Sequence, residues 1–190
     1  MRIVSGKYGG RVLKSPSDQS IRPTSDKIRG AIFNALLSRI NLDDARVIDL
    51  FSGSGALGLE ALSRGAAHCH FVDKSNGSLR LAKDNAQALG VLDDAASFAN
   101  MDAAQLPRAK DTPATLAFLD PPYDRGLVGP ALLSLHQGGW LSQEAWCVAE
   151  SEADFNPDPM MEYLRPHFFI EDERSYGATK IMYLSYRKEI

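Results

Sequence analysis

From Arg46 onward, short apolar runs alternate with stretches whose apolar residues recur at helical spacing, and few folds satisfy that pattern. Arg46-Val47-Ile48-Asp49-Leu50 reads as a buried strand, followed by a glycine-rich loop and a helix to about Arg64. His68 to Asp73 is a second strand, after which Ser75 caps a helix with Leu79, Ala82, Ala86 and Leu89 on its apolar face. Ala96 to Ala99 reads as a third strand and Ala114 to Leu119 as a fourth. A helix near Leu127 to His136 leads to a fifth strand, Ala145 to Ala149. Phe168 to Ile170 and Ile181 to Leu184 read as a closing pair around a turn at Gly177. This order predicts an α/β fold: a doubly wound, Rossmann-like sheet, mostly parallel, with an antiparallel C-terminal edge. Such sheets bind ligands in the crevice beyond the carboxyl ends of the strands.

The fourth strand ends on Asp120-Pro121-Pro122-Tyr123. Proline has no N–H for a ladder, fixes its own φ and restricts the residue before it, so the strand stops in a rigid extended turn. The Asp120 side chain and the free carbonyls then face the crevice, with the flat Tyr123 ring beside them. Acceptors next to a stacking surface suit a planar group that bears an NH2, such as a nucleobase.

Three further features fall on the same edge. Gly53-x-Gly55-x-x-Gly58 follows the first strand, where glycines let the backbone pass close beneath a ligand and the next helix presents its N-terminus. Phe51 and Ser54 flank that loop. Asp73 ends the second strand, where a carboxylate can accept both hydroxyls of a ribose, with Lys74 beside it. Asn100-Met101-Asp102-Ala103 follows the third strand, placed to hydrogen-bond an adenine edge. The glycine loop and Asp73 fit NAD as well as S-adenosyl-L-methionine. Asp49, four residues before the first glycine, separates the two: a carboxylate there can pair with the methionine ammonium, a cation that NAD lacks. With the Asp120–Tyr123 turn, the set favours methyl transfer to an exocyclic amine.

The chain has 190 residues, 44% of them hydrophobic, which suits a single domain spanning residues 1–190. No apolar run approaches the length of a membrane span, and Met1 to Lys7 lacks a secretory core, so the expected location is the cytoplasm. Cys69 and Cys147 lie in apolar strands without framework spacing and read as buried thiols. Net charge is −3, yet residues 1–30 hold seven cations against Asp18 and Asp26, a surplus of five that leaves the remainder at −8. Residues 1–22 are expected to form a basic arm that contacts phosphates, beginning with a hairpin over residues 2–14. After it, Arg22-Pro23-Thr24-Ser25-Asp26 reads as a proline turn and helix start, with Thr24 or Ser25 as N-cap. Ile28, Ala31, Ile32, Ala35, Leu36 and Ile40 carry the period of that helix, with Gly30 in its middle.

The Asp-Pro-Pro-aromatic turn resembles the signature of S-adenosyl-L-methionine-dependent amino-methyltransferases acting on nucleobases. Arg22-Pro23-Thr24-x-Asp26-Lys27-x-Arg29 with Phe33-Asn34, preceded by Ile3-x-x-Gly6-x-x-Gly9-Gly10-Arg11, resembles the RsmD family. The resemblance runs from residue 2 to Gly177-Ala178-Thr179-Lys180. One departure is Gly30, where that family often has an acidic residue. The resemblance implies methylation of N2 of a guanine in bacterial small-subunit (16S) rRNA, within a small ribosomal subunit or its assembly intermediate, by a monomer.

Asp120, Pro121, Pro122 and Tyr123 are therefore the expected catalytic residues. Asp49, Phe51, Gly53, Ser54, Gly55, Asp73, Lys74, Asp102 and Ala103 are expected to hold the cofactor. Arg2, Lys7, Arg11, Arg22, Thr24, Lys27, Arg29 and Arg125 are expected to meet RNA. His68 and His70 alternate along one strand without a third ligand and predict no metal site. Trp140 and Trp146 read as core or cap. Three alternatives stay open: methylation of N6-adenine or N4-cytosine in DNA or other RNA, a NAD-binding oxidoreductase, and a non-catalytic RNA-binding assembly factor.

Overall fold

In the computed structural model, which describes residues 1–15, 25–123 and 125–188, the predicted strands join one sheet. They are β1 (Arg46–Leu50), β2 (His68–Asp73), β3 (Ala96–Asn100), β4 (Ala114–Leu119), β5 (Leu141–Glu152), β6 (Phe168–Tyr176) and β7 (Thr179–Tyr186). Their spatial order is β3-β2-β1-β4-β5-β7-β6. β1 to β5 pair in parallel, and β7 lies antiparallel between β5 and β6. The order reverses between β1 and β4, which are direct neighbours. The crevice at a doubly wound sheet's switch point therefore opens where β1 and β4 end.

Helices cover both faces. α1 (Asp26–Leu36), α2 (Ala56–Ser63) and α3 (Asn76–Leu89) pack on one side around Phe33, Leu59, Phe71 and Phe118. α4 (Val128–Gly138) and α5 (Asp158–Leu164) pack on the other around Leu132, Leu135, Met161 and Met182. Alternate residues of β4 feed the two cores: Leu116 and Phe118 go one way, Ala117 and Leu119 the other. This strand is buried on both faces, hence its unbroken apolar run. Ser25 caps α1, its Oγ accepting the Ile28 N–H at 3.2 Å. Among the described residues no helix is long and apolar enough to cross a membrane.

One expectation needs correction. The last three strands are longer than the apolar runs suggest: β5 opens on exposed Gln143 and Glu144, much of β6 is polar and exposed, and in β7, buried or half-buried throughout, polar Thr179, Lys180 and Ser185 flank the apolar centre. α5 does not stand out in the sequence: it is a seven-residue helix between prolines, buried through Met160, Met161 and Leu164.

The N-terminal hairpin forms, with backbone bonds from Ile3 N to Arg11 O, Gly10 N to Ile3 O and Leu13 N to Met1 O. It is not a free appendage. Ile3 is 0% and Leu13 3% exposed, both within the core under α1–α3. Its backbone is clamped by α2: Glu60 accepts the Val4 and Ser5 N–H groups at 2.7 and 3.0 Å, and Ser63 Oγ accepts that of Tyr8 at 2.9 Å. The expected remainder of the arm, residues 16–22, lies outside the described residues.

Candidate active site

The loop after β1 is built around one buried acid. Asp49 is 2% exposed, and its Oδ2 accepts the Gly58 N–H at 2.9 Å, in the first turn of α2. Burial pushes this carboxyl up to about 8, with the nearby Asp73 charge adding to the rise and the Gly58 bond opposing it. The three glycines divide their tasks, and Gly55, at φ +78°, has its Cα packed close on Ala82 and the Phe71 ring, where a Cβ would come within 3.1 and 3.3 Å. At Gly58 a Cβ would sit 2.4 Å from the Phe71 ring and 2.5 Å from Cys69 Sγ, so that glycine seats α2 on β2 rather than making room for a ligand. At Gly53, with φ +53°, a Cβ would meet only the Phe51 carbonyl oxygen at 3.8 Å, and the space above the loop stays open. Phe51 itself holds a left-handed φ of 58°, a strain that functional loops retain. The Ser52 Oγ is buried with no hydrogen-bond partner.

Asp73 locks this loop from the neighbouring strand. Its Oδ2 accepts the Gly53 N–H at 3.0 Å and its Oδ1 the Ser75 N–H at 2.8 Å. Asn100 donates to the carbonyls of Asp73 (3.1 Å) and Lys74 (2.9 Å), so its amide ties β3 to β2 instead of reading a ligand edge. Exposed Asp102 accepts the Ala104 N–H at 2.9 Å and begins a 3₁₀ turn on buried Ala103. Ser54 joins the site to the arm: Asn85 Nδ2 donates to the Ser54 carbonyl (2.9 Å) and to that of Lys14 (3.1 Å).

Across the crevice, Asp120 is half-buried, Pro121 buried and Pro122 exposed. Tyr123 is 38% exposed, and its hydroxyl is fixed at both sides, 2.8 Å from Glu150 Oε1 and 2.8 Å from Thr179 Oγ1. Burial pushes the Tyr123 phenol far above its ordinary range, with the charges of Glu150 and Asp120 adding to the rise. It stays a neutral donor to Glu150. A hollow beside the turn is lined by Pro121, Pro122, Tyr123, Glu150, Ser151 and Phe155. Glu150 and Asn85 escaped the sequence reading: one sits inside a strand and the other on a helix, with no local motif to mark either.

The basic residues separate into two groups. Arg2, Lys7, Arg11, Lys27 and Arg125 are exposed, with Lys7 over the Tyr8 ring and Arg11 donating to the Ala88 carbonyl. Arg29 is a correction: its side chain is 0% exposed, it bonds Asp26 at 2.7 Å and the Arg2 carbonyl, and it lies 3.7 Å from buried Glu60. It fastens α1, the hairpin and α2 together and does not face solvent. Arg22 and Thr24 lie outside the described residues. On β2, inside the sheet, His70 Nδ1 meets Ser97 Oγ of β3 at 2.6 Å and its ring stacks on Trp140. Burial lowers the affinity of His68 and His70 for protons. Among the described residues no group of three potential ligands could hold a metal ion.

The chain resembles known proteins over most of its length. The family model described as Conserved hypothetical protein 95 matches residues 1–185. "Ribosomal RNA small subunit methyltransferase D" of Escherichia coli (strain K12) is 38% identical over 154 residues, which cover 81% of this chain and 76% of that protein. "Putative rRNA methyltransferase YlbH" of Bacillus subtilis (strain 168) is 36% identical over 156 residues, covering 81% and 84%. A solved structure, "Putative methyltransferase yhhF from Escherichia coli", superposes with a TM-score of 0.82 at 31% identity, covering 100% of this chain and 99% of that one.

The fold and crevice thus define an S-adenosyl-L-methionine-dependent methyltransferase of the α/β class. More narrowly, the chain belongs to the family of that model, the RsmD family whose motifs it carries. The loop fits the cofactor: its backbone is open at Gly53, a buried hydroxyl at Ser52 lacks a partner, and two carboxylates, Asp49 and Asp73, stand at the strand ends.

Proposed function

We propose that this chain transfers a methyl group to the exocyclic N2 of a guanine in small-subunit (16S) rRNA. The observation that carries the reading is the Asp120–Tyr123 turn at the end of β4, directly beside the β1 loop, with the Tyr123 ring pinned in place through its hydroxyl. The relatives named as small-subunit rRNA methyltransferases support the RNA assignment. Asp49, Phe51, Gly53, Ser54, Gly55, Asp73, Lys74, Asp102 and Ala103 hold the cofactor, which supplies an activated sulfonium methyl.

The chain's own work is on the acceptor. The lone pair of a guanine N2 is delocalised into the ring and is a poor nucleophile. Asp120 and the Pro121 carbonyl accept hydrogen bonds from the NH2, which favours a pyramidal nitrogen and localises that pair toward the methyl. The bound cofactor would supply the methyl to N2 from its sulfonium centre, and the proton that N2 sheds on methylation goes to Asp120 or to solvent. The amine becomes acidic only as the methyl arrives, so no prior deprotonation is required. Positioning and oriented acceptors supply most of the barrier lowering. Tyr123 stacks on the base, a contact worth about 1–3 kcal/mol. Exposed Arg2, Lys7, Arg11, Lys27 and Arg125 follow the phosphates. Arg22 and Thr24 belong to the same segment in sequence. The acceptor is a small ribosomal subunit or an assembly intermediate, and the enzyme works as a cytoplasmic monomer.

The test is methyl transfer from labelled S-adenosyl-L-methionine to small subunits from a strain lacking this protein, with the product identified by mass spectrometry. N2-methylguanosine in the small-subunit RNA is expected. Label in N6-methyladenosine or N4-methylcytidine would overturn the base assignment and keep the site.

A further inference from the structure

The proposed reading leaves open how the crevice would choose guanine. We infer that Glu150 reads the acceptor base: its carboxylate accepts the N1–H of a guanine stacked on Tyr123, and so selects guanine over the other two amine-bearing bases. The inference rests on the methyl-transfer reading above and deepens it.

Glu150 is 6% exposed, near the carboxyl end of β5, and it lines the hollow that Pro121, Pro122 and Tyr123 border. Its Oε1 already accepts the Tyr123 hydroxyl at 2.8 Å, which fixes the carboxylate at the edge of the ring. A carboxylate accepts more than one donor. A base lying on the Tyr123 face therefore presents its polar edge toward Glu150 while its amine reaches Asp120.

The chemistry of the three amines then decides. Guanine has a ring N–H, N1, directly beside its NH2. Adenine and cytosine each have a ring nitrogen with a lone pair, N1 or N3, beside theirs. A wall made of acceptors (Asp120, the Pro121 carbonyl and Glu150) accepts two adjacent donors from guanine. It sets a lone pair against a carboxylate for adenine or cytosine. Selection by mismatch of this kind is strong, because the wrong base leaves a buried charge facing an acceptor.

The test uses small subunits reconstituted with 16S rRNA in which the methylated guanosine, once mapped, is replaced by 2-aminopurine riboside. That base keeps the NH2, exchanges N1–H for a lone pair and lacks O6. Relative kcat/KM on guanine and 2-aminopurine is measured for the full-length wild type, Glu150→Gln and Tyr123→Phe. The wild type should prefer guanine by about 100-fold or more, as sites that hydrogen-bond a substrate N–H do. Glu150→Gln keeps an oxygen for the Tyr123 hydroxyl but offers an amide that can turn its NH2 to a lone pair, so the preference should collapse to within about 10-fold. Tyr123→Phe removes the tether only, so both rates should fall and the preference should survive. An unaltered preference in Glu150→Gln, with both rates lowered as in Tyr123→Phe, would overturn the inference and leave Glu150 as a tether. Wild-type N2 methylation of both bases at equal rates would overturn it too, while sparing the methyl-transfer reading. Absence of N2-methylguanosine with every protein would overturn both.

Discussion

The Asp49 carboxylate accepts the Gly58 N–H at 2.9 Å from a position that is only 2% exposed. A carboxyl so placed is held in its protonated form, up to about 8 against an ordinary 3.8. The folded chain thus keeps a proton that the unfolded chain releases. This group's contribution is fully present below about pH 4 and is lost as pH rises toward about 8. The thermal stability of the ligand-free protein should therefore fall from pH 5 to pH 8 more steeply in the wild type than in Asp49→Asn. Parallel curves would mean that Asp49 is already ionised. Pairing with a ligand ammonium would reverse the preference. Calorimetric titration at pH 7 in buffers of different ionisation heat should then show proton release on S-adenosyl-L-methionine binding to the wild type, and none for Asp49→Asn.

Asn85 holds the β1 loop to the arm. Its Nδ2 serves the Ser54 and Lys14 carbonyls, and its Oδ1 accepts the Lys14 N–H at 2.8 Å. Truncation to Ala leaves those three groups short of partners in a site that is 1% exposed. A loss of about 2–3 kcal/mol in urea unfolding is expected, from roughly 1–3 kcal/mol per unsatisfied buried group with partial rehydration. S-adenosyl-L-methionine affinity should fall as well, because Ser54 moves with the loop. An Asn85→Ala protein with wild-type stability would show that water replaces the amide.

The cations near the N-terminus should divide by burial. Lys7→Ala and Arg11→Ala should each reduce the slope of log affinity for RNA against log salt by about 0.7–0.9, one phosphate contact apiece. Arg29→Met should leave that slope alone. It should instead destabilise the fold by about 3–5 kcal/mol, because Glu60 would lose a partner in a fully buried pair. A slope change in Arg29→Met at full stability would return that residue to the interface.

Gly30 lies inside α1, where a Cβ would meet only Val4 Cγ1 at 3.6 Å, an ordinary contact. Nothing in the structure requires glycine there. Gly30→Ala should stabilise the protein by about 0.5–1 kcal/mol, through the lower backbone entropy of the unfolded chain. A destabilised variant would mean that the helix and the arm pack more closely than the present geometry.

What could be read from the sequence was what is local. The alternation of β1 to β5 with α2 to α4 follows from apolar period alone, and Asp49, Asp73 and Asp120 could be placed because each ends a strand in a parallel sheet. Ser25 was visible as a cap by its side-chain chemistry. The contributions of Glu60, Asn85 and Glu150 were not visible, since each acts on residues 27 to 71 positions away. Arg29 misled for the same reason: a cation in a basic stretch looks solvent-facing until a distant carboxylate is packed against it. β6 was read short because its second half is largely polar and exposed, and β7 because polar Thr179, Lys180 and Ser185 flank its apolar centre.

On the proposed reading, the Asp120–Tyr123 turn works on the acceptor while the β1 loop works on the cofactor. That reading is tested most directly by Asp120→Ala, measuring single-turnover methyl transfer to small subunits beside the equilibrium affinity for S-adenosyl-L-methionine. Transfer should fall by at least about 100-fold, the usual scale for losing a catalytic acceptor or base, while cofactor affinity stays within about threefold of wild type, a difference under 1 kcal/mol. Transfer and affinity falling together would contradict it, and would make Asp120 part of the cofactor site or of the fold.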